Sequence, residues 1–249
     1  MASVGEANRL FMEGDASSAA AMYHALAREG DADAAFNFAY CLWRGIGVDP
    51  DFARAKNFFA FARDTEGGDA AYNLALMYMH GEGVPVSYKK SLSYMRFAAE
   101  EGCVEAQLYL GMVYTTGFYL EPDIVGIRRI PFHTPEYRTY ERLLYGDVTD
   151  AEREEDARSF VVEADAREAF LWFQAAARHD PTYAADLVAK GKFLYAKCFV
   201  DGFGTEYDRQ KGARLMLLAG RSGSADAVAY LSSLGVTPAM LENTKKSKY

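Results

Sequence analysis

Long apolar segments are missing from this 249-residue sequence. No run of about 18 consecutive apolar residues occurs, so we expect no transmembrane helix and no insertion into a membrane. The first residues, Met1 to Ala7, contain neither a basic segment nor an apolar one, so no signal peptide is predicted. Both observations favour a cytoplasmic protein.

Residue types that hold metals or perform catalysis are few and poorly spaced for either purpose. The three cysteines, Cys41, Cys103 and Cys198, are an odd number without metal-ligand spacing, which is typical of a reducing compartment. The four histidines fall in different repeats and form no H-x-x-x-H pair. Gly81-Glu82-Gly83 lacks the Lys-Ser/Thr of a phosphate-binding loop. We therefore predict that the protein is not an enzyme and holds no metal and no cofactor.

Clustered positive charge is also scarce. The formal net charge is −8, and the only basic cluster is Lys245, Lys246 and Lys248 near the end of the sequence. A surface that binds nucleic acid without sequence preference needs clustered Lys and Arg. We therefore expect no nucleic-acid partner, which makes an RNA-binding helical repeat the least favoured alternative.

What the sequence does contain is a segment that recurs every 36 residues. Residues 35–48 return as residues 71–84, and weaker copies follow at 107–117 and 192–204. A period of this length indicates stacked helix pairs rather than one central core. Half of the residues are hydrophobic, which is enough to bury a continuous core. We therefore predict a single elongated domain over residues 1–249.

Each repeat is predicted to be a pair of helices, called helix A and helix B. In the third repeat, helix A covers residues 70–80 and ends at Gly81, and Ser87 caps a helix B over residues 88–100. Small residues recur at matched positions, which lets the two helices approach closely: Ala39, Ala75, Gly111 and Ala196 in helix A, and Ala62, Ala98, Ala176 and Ala219 in helix B. The same patterns predict helix pairs at 34–48, 70–100, 106–117 joined to 166–178, and 190–221.

These motifs resemble those of the Sel1-like repeat family, which is similar to tetratricopeptide repeats. The resemblance rests on A-x-x-L-A/G-x-x-Y-x-x-G-x-G-V, here residues 71–84, and on the helix B motifs K-A/S and W/Y-F/M-x-x-A-A, here residues 90–91 and 94–99. It implies a right-handed α-solenoid that assembles protein complexes and has no catalytic residues. We accordingly predict an all-α, right-handed α-solenoid of about five to six helix-pair repeats with one inserted helical hairpin.

A long insertion interrupts the fourth repeat, between Gly117 and the helix B motif near Ala169. We predict a helical hairpin there, with Tyr137, Tyr140 and Leu144 facing inward and an acidic helix at 151–162. A shorter insertion of about seven residues, near Pro181 to Val188, precedes the fifth repeat. The predicted organisation is a degenerate N-terminal cap (1–33), repeats (34–117), the insertion (118–164), repeats (165–226) and a C-terminal cap (227–249).

The side of the A helices that faces away from helix B is the candidate binding surface. Helix A lines the concave side of solenoids of this class. A solvated face should be mostly charged, whereas this one is apolar and aromatic, as interaction surfaces are. The predicted partner-binding residues, called the outward strip below, are Asn37, Tyr40, Trp43, Arg44, Asn73, Leu76, Met79, His80, Tyr109 and Met112. The open alternative is that these residues pack between adjacent A helices or under the insertion.

We predict an interaction scaffold or adaptor, a monomer that binds a peptide or helix of a protein partner in its concave groove. Tyr40 and Trp43 would be the main anchors, because aromatic side chains dominate binding hot spots. Asn37 and Asn73 can offer a donor and an acceptor to an extended backbone. The main alternative is a ligand-binding or hydrolytic protein, since cysteine-rich members of the resembled family are linked to bacterial cell-wall chemistry. Those members carry paired cysteines in every repeat, unlike this chain.

Overall fold

The structure is a computed structural model of the 249-residue chain, and it describes residues 3–117, 162–180, 182 and 184–236. Within these residues all regular secondary structure is helical, in eleven helices without a β-strand. The first six are α1 (Val4–Met12), α2 (Ala16–Arg28), α3 (Ala32–Arg44), α4 (Phe52–Glu66), α5 (Gly68–His80) and α6 (Tyr88–Glu100). The other five are α7 (Val104–Thr116), α8 (Ala166–Ala177), α9 (Ala185–Asp201), α10 (Arg209–Arg221) and α11 (Ala225–Ser233). The all-α prediction is confirmed.

The helices form two compact units, one with α1 to α6 and the other with α7 to α11. Within each unit, every helix packs against the next helix in the chain. Stacked helix pairs have this pattern, because each pair buries its apolar face against its neighbours. In the second unit, α7 packs against α8 as predicted, although the insertion separates them in sequence.

The junction between helix A and helix B has the same hydrogen bond in four repeats. A helix A ends at a glycine, and helix B begins after an Asp or Ser whose side chain caps it. The backbone N–H of that cap donates to the carbonyl three residues before the glycine: Asp51 to Leu42 at 3.0 Å, Ser87 to Tyr78 at 2.8 Å, Asp165 to Tyr114 at 2.9 Å and Asp208 to Phe199 at 3.0 Å. In three repeats the cap follows the glycine by six positions, whereas Asp165 follows Gly117 by 48. The fourth repeat therefore has the same hydrogen bond between the helix B cap and helix A, although 42 additional residues separate them in sequence.

The second glycine of the G-x-G loop joins one repeat to the preceding one. Gly83 has φ of +69°, and a Cβ at this position would lie 2.6 Å from Cβ of Phe52, the first residue of α4. Two other loops repeat this contact with the first residue of the preceding helix B: Gly47 meets Ala16, and Gly204 meets Ala166. Only glycine combines a left-handed backbone with so close an approach. The G-x-G motif is thus a packing motif between repeats.

The recurring small residues lie where helix A and helix B are closest. Ala75 is fully buried, and the Ser91 hydroxyl of α6 donates to its carbonyl oxygen at 2.6 Å. In the second unit, a side chain at Gly111 of α7 would collide with the Phe173 ring of α8. The predicted close approach of paired helices is confirmed.

Four helices begin before their predicted starts. Helices α3 and α7 begin at Ala32 and Val104 rather than residues 34 and 106. Helix α5 begins at Gly68 rather than residue 70, and α9 begins at Ala185 rather than residue 190. The extra residues before the fifth repeat lengthen its helix A, because Val188 and Ala189 are apolar and become buried there. The predictions for Tyr137, Tyr140, Leu144, most of the helix at 151–162 and the last 13 residues of the C-terminal cap (237–249) lie outside the described residues. That the whole chain is one domain stays a prediction.

Candidate partner-binding face

The outward strip is not uniformly exposed. Half of its residues are buried, with at most 9% of their surface accessible: Trp43, Asn73, Leu76, Met79 and Tyr109. The expected exposure is therefore wrong for these five residues. A helix in a stacked array has neighbours on several sides, so a position that faces away from its own helix B is not thereby exposed. Partner binding by residues of the strip stays a prediction.

Trp43 is buried through contacts with two other elements of the first unit. Its indole Nε1 donates to Glu82 Oε2 at 2.6 Å, and both residues are buried. Its ring also meets Phe59 of α4 edge to face, with the centroids 6.0 Å apart. The hydrogen bond ties helix A of the second repeat to the G-x-G loop of the third. The sequence patterns did not indicate Glu82 as a partner of Trp43.

Three residues of the strip share one accessible face of α3. Asn37, Tyr40 and Arg44 are spaced i, i+3 and i+7, which places them in one row along the helix. Tyr40 is 37% exposed, and the other two are half-buried. Asn37, Tyr40 and Arg44 are called the α3 face below. The buried Trp43 supports this face from beneath, since its ring contacts Tyr40 with the centroids 6.2 Å apart.

Arg44 makes cation–π contacts with two aromatic rings. Its guanidinium carbon lies 4.0 Å from the centroid of the Trp43 ring and 5.7 Å from that of Tyr40. Cation–π contacts of this kind contribute about 0.5–2 kcal/mol. They also hold the guanidinium next to Tyr40 and Trp43. The α3 face therefore combines a positioned cation, an exposed aromatic ring and an amide.

The remaining members of the strip differ from the α3 face. His80 at the end of α5 is half-buried, and so is Met112 of α7. In the fifth repeat, the matching positions on α9 form a solvated charged surface, because Lys197 and Asp201 are exposed and pair with each other. An exposed pair of this kind contributes little to stability or binding. Tyr40 is thus the aromatic side chain of the strip that is most accessible to solvent.

The described residues offer no arrangement suited to metal binding or nucleophilic chemistry. Within residues 3–117, 162–180, 182 and 184–236, no group of three or more His, Cys, Asp or Glu side chains could hold a metal ion. Burial raises the pKa of the Cys41 and Cys198 thiols to about 11, so both stay protonated at neutral pH. His24 stacks on Phe38 with 4.5 Å between ring centroids, and burial, aided by the charge of Arg54, lowers its pKa.

The second unit has an open polar cleft of about 640 Å³ beside the start of α10. Three cations, Arg167, Arg209 and Lys211, line it together with the acids Glu206 and Asp208. Asp208 already caps α10 by accepting from the Lys211 N–H at 2.9 Å. The lining side chains therefore carry a formal excess of one positive charge, and both acids lie among the cations. Among the described helices, none has the length and apolar character needed to cross a membrane.

Comparison with solved structures supports the fold. A Sel1 repeat protein from Oxalobacter formigenes superposes with a TM-score of 0.64 at 21% identity, over 88% of this chain and 50% of its own. The protein c5321, a protective antigen of uropathogenic Escherichia coli strains with an SLR fold, gives a TM-score of 0.42 at 21% identity, over 93% of this chain and 49% of its own. The chain thus spans about half the length of both structures. Comparison with curated protein sequences finds no match.

The family comparison agrees with the repeats described above. The Sel1 repeat matches residues 32–64, 68–103, 104–125, 158–181 and 189–224, which is more than half of the chain. Together with the superposition on the Oxalobacter protein, this match shows an α-solenoid fold. Sel1 repeat proteins are generally protein-interaction scaffolds, and they are generally non-enzymatic. The chain belongs to the Sel1 repeat family.

Proposed function

We propose that this chain is a protein–protein interaction scaffold that binds a partner peptide or helix on the α3 face. The observation that carries the proposal is the exposure of Tyr40 on a rigid base. Its ring is 37% accessible, while Trp43 beneath it is fixed by Phe59 and Glu82. An aromatic side chain of low mobility loses little entropy on binding, so it makes an effective anchor.

The neighbours of Tyr40 suit recognition of a peptide. Asn37 and Arg44 flank it along α3, one with an amide and the other with a guanidinium. An amide can donate to and accept from an extended backbone at once. The α3 face therefore pairs one apolar anchor with polar groups that fix the orientation of a bound chain.

The alternative of a ligand-binding or hydrolytic protein of cell-wall chemistry receives less support. Its sequence signature is a pair of cysteines in every repeat, whereas this chain has three cysteines in total, all of them buried. An RNA-binding function would need a basic stripe, and the net charge of the chain is −8. Both alternatives lack a site of matching chemistry among the described residues.

A quantitative affinity capture tests the proposal. Purified wild-type chain, Tyr40→Ala and Phe97→Ala would be immobilised separately, and proteins retained from a lysate of the source organism would be measured by mass spectrometry. Phe97 is a matched control, because it is 39% exposed in the same unit but lies on the helix B α6. We expect Tyr40→Ala to lose specific partners that Phe97→Ala retains. Equal retention by all three proteins would contradict binding at the α3 face.

A further inference from the structure

Arg44 has a positive charge that no described group neutralises. Its Nε is buried without a hydrogen-bond partner, and no ion pair joins Arg44 to an acid within the part of the chain that the structure describes. Its guanidinium contacts the rings of Tyr40 and Trp43. A buried hydrogen-bond donor without an acceptor destabilises a folded protein, so its presence calls for a structural or functional explanation.

We infer that Arg44 binds a side-chain carboxylate of an acidic peptide segment in the protein partner. This inference rests on the proposed function and specifies the chemistry of its ligand. Because Nε is buried, the peptide would reach the two terminal nitrogens of the planar guanidinium, whose N–H groups match the two oxygens of a carboxylate. Because the guanidinium already contacts the Trp43 ring at 4.0 Å, part of its side-chain freedom is lost before the acid binds.

The spacing of the α3 face sets the register of the peptide. Asn37 and Arg44 are seven residues apart, which corresponds to about 10 Å along a helix. An extended peptide covers that distance with about three residues. The acidic residue therefore binds at the Arg44 end, an apolar residue packs on Tyr40, and the peptide backbone reaches Asn37.

A single carboxylate fits this face better than a phosphate group does. Phosphorylated side chains carry a charge of about −1.5 to −2, and they are recognised by clusters of Arg. The α3 face has one guanidinium, flanked by an aromatic ring and an amide rather than by a second cation. Charge complementarity thus favours Asp or Glu as the partner residue.

The test is a selection of random 12-residue peptides displayed on phage against the immobilised full chain. Enriched sequences would be synthesised with amidated C-termini, each with a twin in which Asp or Glu becomes Asn or Gln. Binding would be measured by fluorescence polarisation to wild type, Arg44→Gln, Arg44→Lys and Arg54→Gln. Arg54 is the matched control, since it is an exposed arginine of the same unit whose guanidinium lies over the Phe38 ring.

We expect the enriched peptides to contain an acid and an apolar residue. Removing the acid or substituting Arg44→Gln should each raise Kd about tenfold or more, and the two changes together should add little further. Arg44→Lys should recover only part of the affinity, because an ammonium group cannot form the paired hydrogen bonds. Arg54→Gln should leave Kd within about twofold. The acid-to-amide twins test the inference on wild-type protein, so it stays falsifiable even if Arg44→Gln fails to fold.

Several results would overturn the inference. Peptides that bind through Tyr40 but tolerate loss of the acid would refute the carboxylate site and leave the proposed function standing. Binding that needs a free C-terminus would assign Arg44 to a terminal carboxylate rather than a side chain. A selection that enriches no peptide would contradict both the inference and the proposed function.

Discussion

Replacing Trp43 with alanine should strongly destabilise the first unit. The indole is only 4% exposed, packs on Phe59 and donates to Glu82. Truncation of a buried Trp or Phe to Ala typically lowers the free energy of unfolding by about 3–5 kcal/mol. A milder change, Trp43→Phe, keeps an aromatic ring but removes the donor to a buried carboxylate, so we expect a loss of about 1–3 kcal/mol.

Urea denaturation followed by circular dichroism at 222 nm would measure these losses. Tyr40→Ala is the matched control, because Tyr40 is three residues earlier on α3 and 37% exposed, so its loss should be near 1 kcal/mol or less. A cycle of Trp43→Phe, Glu82→Gln and the double variant should give a coupling free energy of about 0.5–3 kcal/mol. A Trp43→Ala protein as stable as Tyr40→Ala, or a coupling near zero, would refute the buried Trp43–Glu82 link.

Three further results are expected. Gly83→Ala should destabilise the chain by about 1–3 kcal/mol more than Gly30→Ala, because both glycines have positive φ but only Gly83 contacts Phe52. Equal losses of unfolding free energy in urea denaturation would contradict the packing role of the loop. Burial lowers the folded-state pKa of His24, so the stability that its neutral form contributes is fully present above pH 6.5 and is lost as the pH falls below that value. The wild type should therefore lose stability relative to His24→Gln on acidification. A difference in unfolding free energy between the two proteins that does not change with pH would exclude this effect. The Cys41 thiol should resist Ellman's reagent at pH 8 until urea is added, and rapid labelling of the native protein would contradict its burial.

The helix ends were predictable because the chemistry that sets them is local. Gly81 ends α5 with φ of +74°, and the Ser87 side chain accepts from the Lys90 N–H at the start of α6. Both signals lie within a few residues of the structure that they determine. The pairing of α7 with α8 was also predictable, because the helix B motif of Trp172 and Phe173 survives the insertion.

Burial within the outward strip was not predictable in the same way. Helical spacing gives the direction of a side chain relative to its own helix B, but the acceptor of Trp43 lies 39 residues away in another repeat. One signal was available in the sequence. Glu82 occupies the centre of a G-x-G loop, where the other repeats have the apolar residues Ile46 and Phe203. A charged residue at an otherwise apolar repeat position indicates a specific buried partner.

Site-specific photo-crosslinking tests the central claim most directly. A benzoylphenylalanine would replace Tyr40 in one protein and Phe97 in another, and both would be irradiated in cells of the source organism. We expect a discrete crosslinked partner from position 40 that is absent from position 97 and that disappears when Arg44→Gln is added. The same adducts from both positions, or none from position 40, would contradict a binding surface on α3.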